Sequence, residues 1–109
     1  MFVEEREDEI VFADGWKAYI SHEMSAGAQE DLEELIANIG QDGATPTRVR
    51  RFGEVKLVSL CLRRVVAPDG TESRPAYEQI RRMRRMHFAK LVEEIAARNL
   101  PLGAVGAKA

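Results

Sequence analysis

The chain has 109 residues, 45% hydrophobic and 31% charged, which is the make-up of one small soluble domain and is too apolar for wholesale disorder. No apolar run approaches the roughly 18 residues of a membrane span, and the acidic opening MFVEEREDE is unlike a secretory signal, so a cytoplasmic location is expected. Cys61 is the single cysteine and excludes an intrachain disulfide; with His22 and His87 it forms no metal-ligand spacing, so no metal and no cofactor is expected.

The net charge of −2 conceals a separation along the chain. Residues 1–43 carry twelve acids and two bases, residues 44–92 carry four acids and twelve bases, and residues 93–109 carry two of each. Such asymmetry points to a polyanionic partner or to self-association through opposite faces. Arginine outnumbers lysine by 12 to 4, which favours bidentate contact with phosphate or carboxylate.

In chain order, residues 1–9 read as a flexible acidic end. EIVFA-DG-WKAYI then reads as a β-hairpin about a type I′ Asp14-Gly15 turn, with Ala13 opposite Trp16 and Val11 opposite Ala18. A helix capped by Asp14 is the competing reading. Residues 26–39 form a helix: Leu32, Leu35, Ile36 and Ile39 make one stripe, Ser25 caps it, and Gly40 ends it. QDGATPT is a loop. TRVRRF-GE-VKLVSLCLRRVVA reads as a second hairpin about Gly53-Glu54, with Val49, Val58, Leu60 and Leu62 on the core face and Arg48, Arg50 and Arg63 on the other. Pro68-Asp69-Gly70 is a turn, and residues 75–99 form a long second helix. Residues 100–109 are a Gly/Ala-rich tail. The expected fold is α+β, in ββαββα order, a single domain over 10–99 with both helices on one antiparallel sheet.

The second helix contains Arg81, Arg82, Arg84 and Arg85 in five positions. On a wheel started at residue 76, Ile80, Leu91 and Ile95 share one stripe, and Arg84 falls among them at about 80° with His87 at about 20°. A buried arginine needs an anion, so either the stripe breaks there and leaves Arg84 at an edge, snorkelling past Phe88, or Arg84 meets a carboxylate of the acidic first helix, a ligand phosphate or an interface. Arg82 and Arg85 point away and Arg81 lies at the boundary.

Together Arg48, Arg50, Arg63, Arg81, Arg82, Arg84, Arg85 and His87 are the candidate nucleic-acid or anion-binding set. Aromatic residues do not interleave with them, since Phe52, Tyr77 and Phe88 read as core, so base stacking is weakly supported.

Catalytic patterns are sparse. Cys61 beside His87 fits an apolar filler better than a nucleophile, and His22-Glu23 lacks the second histidine of a metalloprotease motif. The expectation is a small non-enzymatic regulatory protein of bacterial or phage type, whose arginine face engages nucleic acid or an acidic protein surface. One alternative is a homodimeric interaction module whose acidic and basic halves neutralise each other. The other is a small toxin-type ribonuclease using arginines and His87, although no motif carries a resemblance to that family.

Overall fold

The computed structural model describes residues 1–99; the expected Gly/Ala-rich tail, residues 100–109, lies outside them. The fold is α+β, with a four-stranded antiparallel sheet and four helices. Strands β1 (Glu7–Val11) and β2 (Lys17–Ser21) are followed by helices α1 (Ala26–Gln41) and α2 (Pro46–Cys61). Strands β3 (Leu62–Val66) and β4 (Glu72–Ser73) are followed by α3 (Tyr77–Arg81) and α4 (Arg85–Asn99). The order is therefore ββααββαα rather than ββαββα, and the sheet runs β1-β2-β3-β4. No helix among the described residues is long and apolar enough to cross a membrane.

The first hairpin forms where expected, starting at Glu7, with its register one residue away from the expected one. Val11 faces Lys17 and Ile10 faces Ala18. Phe12 N–H donates to the Trp16 carbonyl, and Gly15 N–H to the Phe12 carbonyl, so the loop has three residues, Ala13-Asp14-Gly15. Gly15, at φ +94°, supplies the left-handed residue that closes such a turn. The β3–β4 hairpin repeats this turn at Pro68-Asp69-Gly70, with Gly70 N–H donating to Ala67 and Ala67 N–H to Thr71. The two turns abut: a Cβ on Gly15 would lie 3.3 Å from the Pro68 ring.

The expected second hairpin about Gly53-Glu54 is overturned, because residues 46–61 are helical. Thr45 caps this helix by accepting the Arg48 N–H at 3.2 Å, and Pro46 occupies its first turn, where no donor is needed. Gly53 marks the crossing with α1, where an added Cβ would meet Ile36 Cδ1 at 3.0 Å. Helix α1 begins at the expected Ser25 cap and runs through Gly40 to Gln41.

The core takes Ile10, Phe12, Ala18 and Ile20 from the first hairpin, Val58 and Cys61 from α2, Ile80 from α3, and Leu91 and Ile95 from α4. Leu60, expected in the core, is 41% exposed. On the sheet, every strand feeds one cluster: Arg64 lies over the Tyr19 ring at 3.8 Å and pairs with Glu7 and Glu72, while the Tyr19 hydroxyl donates to Glu9.

A second ion cluster ties β1 to the last helix. Asp8 accepts from His22 at 2.9 Å, from Arg98 at 2.6 Å and from Arg6 at 3.3 Å. Hydrogen bonds from His22 and Arg98 outweigh desolvation and hold the Asp8 carboxyl well below the usual carboxylate range.

Candidate functional site

The expected continuous helix over 75–99 breaks at residues 82–84, between α3 and α4. The break resolves a conflict that the sequence contained. An unbroken helix would carry Arg84 into the stripe of Ile80, Leu91 and Ile95; a charged guanidinium there costs far more than a few interrupted backbone bonds. With the chain turned at Arg82 and Met83, Ile80, His87, Leu91 and Ile95 are buried, and the Arg84 side chain is 75% exposed.

The carboxylate that Arg84 approaches is not on α1. It is Asp14 of the β1–β2 turn, at 3.9 Å. The same Asp14 oxygen meets His87 Nε2 at 2.8 Å. Desolvation acts to raise the Asp14 carboxyl, but hydrogen bonds from His87 and the Trp16 N–H outweigh it and leave the group below its ordinary value. An ionised Asp14 accepts a proton held on His87 Nε2, which leaves Nδ1 as the ring nitrogen open to a further partner. That nitrogen bonds no described residue, and it is not among the sealed, unpartnered buried atoms.

Next to this dyad the β1–β2 turn, the β4 end and the α3–α4 turn enclose a half-open cleft of about 250 Å³. Phe12, Trp16 and His87 form an aromatic wall, with Phe12 and Trp16 centroids 4.6 and 6.1 Å from the His87 ring. Met83, Leu91, Val65 and Pro75 supply the remaining apolar surface, and Lys17, Ser73, Gln79 and Arg84 line it with polar groups. Gln79 Oε1 is engaged with the Ala76 N–H at 2.7 Å, which satisfies an orphan donor at the start of α3.

The eight residues expected to form one basic face divide. Arg48 and Arg50 lie exposed near the start of α2, on a helix and not on a strand. Arg63 is on β3, and its Nε donates to the Ser21 hydroxyl at 2.8 Å. Arg81 is tied to Glu78 at 3.4 Å. Arg82, Arg84 and Arg85 cluster at the α3–α4 turn, with His87 one turn further on. Among the described residues, Arg48, Arg50, Arg82 and Arg85 have no carboxylate within ion-pair distance. The acidic helix α1 does not neutralise them, because the pairs that join the two halves run from β1 and the β1–β2 turn.

Sequence reasoning missed Phe12, Asp14, Trp16 and Lys17, which reach the arginines only through the tertiary fold. The single tryptophan beside a turn was the available signal. Cys61 is no nucleophile: it is 1% exposed, and burial pushes its thiol up to about 11. The chain matches no protein-family model, no curated protein and no solved structure.

Proposed function

We propose that this is a small non-enzymatic binding protein that engages an anionic partner, nucleic acid first, through the arginines of the α3–α4 turn. The observation that carries the reading is the open charge of that turn. Arg82 and Arg85 are exposed without an acidic partner among the described residues, and Arg84 stands 75% exposed at the mouth of an apolar cleft. Arginines left free in this way are suited to release counterions from a phosphate backbone and to grip it bidentately. Arg48 and Arg50 extend the reading to the first turns of α2, where the helix dipole adds to their positive charge.

The test is fluorescence anisotropy of labelled single-stranded RNA and duplex DNA over a salt series, with the wild type and Arg82/Arg85→Ala. The double variant should bind more weakly and flatten the logarithmic salt slope by roughly 1.4 on single strands, at about 0.7 per lost phosphate contact. No binding by the wild type at low salt removes the reading.

A second reading, a homodimer, is favoured by a separate observation. Helix α1 buries none of its residues, and Leu35 and Leu60 are 38% and 41% exposed, so the α1–α2 pair keeps uncovered apolar surface. A two-fold axis would lay acidic α1 on the arginine-bearing start of the partner's α2. Light scattering after gel filtration decides it, with a monomer mass at micromolar concentration counting against.

A further inference from the structure

We propose that the cleft between the β1–β2 and α3–α4 turns receives one unpaired nucleobase of a single strand, whose flanking phosphates lie on Arg84 and its neighbours Arg82 and Arg85. The inference deepens the nucleic-acid reading above and rests on it.

Size limits the occupant first. At about 250 Å³ the cleft lies just under the roughly 300 Å³ at which pockets for larger ligands begin, so it has room for one planar ring system. Its wall is aromatic. Phe12 and Trp16 are both tilted against the His87 ring, at interplanar angles of 54° and 55°, and Met83 and Leu91 complete an apolar lining. Aromatic and apolar surfaces of this kind hold any base by its π-face, without regard to sequence.

The polar groups discriminate between occupants. Ser73 lines the cleft, as does Gln79, whose amide nitrogen remains free once its oxygen has taken the Ala76 N–H. His87 Nδ1 is left without a described partner while Asp14 holds Nε2, and it accepts from a base when the ring is neutral or donates to one when the ring is protonated. An aliphatic side chain of a peptide would cover these groups and leave them unpaired, at a cost for each, whereas the edge of a base carries both donors and acceptors to meet them. Two cations, Lys17 and Arg84, line the opening, and the nearest carboxylate, Asp14, is held by His87 at 2.8 Å and stands 3.9 Å from Arg84. A phosphate on either side of the base would therefore meet cations. The expectation that the basic face lacks aromatics fails for this reason, since the fold brings Trp16 to the arginines from the other end of the chain.

Trp16 is the sole tryptophan, so its emission reports on the cleft directly. The comparison of the two strands uses the wild-type chain, which keeps folding out of it. The chain is titrated at low salt with a short oligouridine RNA and with an abasic strand of equal length and charge, following anisotropy of the labelled strand and Trp16 emission. The expected result is about tenfold tighter binding of oligouridine, the value of one stacked base, with saturable quenching of Trp16 by oligouridine only. Arg84→Ala, at an exposed position, should weaken both strands alike and leave the quenching at saturation unchanged. Equal affinity for the two strands without quenching overturns the base pocket and leaves the arginine reading standing. Absence of any anisotropy change overturns both. Quenching by an oligoglutamate peptide carrying one phenylalanine, and none by RNA, assigns the cleft to an acidic protein and overturns the proposal.

Discussion

The contact between the two hairpin turns can be isolated by replacing one glycine in each. Gly15 and Gly70 occupy equivalent places in their turns, at φ +94° and +92°. Alanine at either position meets the same backbone strain, about 1–2 kcal/mol for an L-residue in the left-handed region. The stiffer unfolded chain returns roughly 0.4–1 kcal/mol of that. Gly70→Ala should then cost about 1 kcal/mol, because nothing lies within 4 Å of its new Cβ. Gly15→Ala carries the same strain plus a contact at 3.3 Å with Pro68 Cβ and Cγ, atoms of a ring that cannot rotate away. Overpacking of that kind adds about 1 kcal/mol or more, so the total is about 2 kcal/mol. Urea unfolding followed by circular dichroism measures both losses, and each kcal/mol corresponds to roughly 4–8 °C in Tm for a domain of this size. The m-value should not change. Equal losses in the two variants would refute the stacking of the turns. Gly15→Ala should also disturb the cleft, since Asp14 precedes the substituted residue and Trp16 follows it.

Asp8→Asn removes the charge that accepts from His22 and Arg98 and should cost about 2 kcal/mol, as hydrogen bonds to charged groups do. The sign with pH follows from the lowered carboxyl: its contribution is complete above the unfolded value of about 3.9 and is lost as pH falls toward the lower folded value. Thermal melts between about pH 6 and pH 2 should show the wild type losing more stability than Asp8→Asn, and parallel curves would refute the assignment. Leu35→Lys, at a 38% exposed position, should leave stability within about 0.5 kcal/mol yet reduce a dimer to monomer mass on gel filtration. An unchanged dimer mass would place any interface elsewhere.

Local signals that agreed with one another were legible before the fold was known. Helix α1 was readable because a cap at Ser25 and a stripe of Leu32, Leu35, Ile36 and Ile39 require the same structure. The hairpin at Asp14-Gly15 was readable for its turn chemistry. Its register was not, because two- and three-residue loops both accept that dipeptide.

Helix α2 is where local pattern failed. The run VKLVSLCL contains apolar spacings that suit a strand and a helix alike, and Gly-Glu resembles a hairpin turn. The Thr45-Pro46 cap favoured helix, and the crossing of Gly53 on Ile36 shows how a glycine serves there. The break in the arginine helix was half visible: the wheel exposed the conflict at Arg84 and allowed the apolar stripe to break there, but did not show that the helix itself would end between residues 81 and 85.

The amino-acid sequence by itself determined the composition of the site's basic side, the charge separation and the positions that could not be buried. Only the tertiary structure decided what those arginines face. Residues distant along the chain have no local signal for proximity. It took a sheet that carries Asp14 and Trp16 to one end, and a helix break that turns Arg84 outward, to place cations, an oriented histidine and an aromatic wall around one cleft.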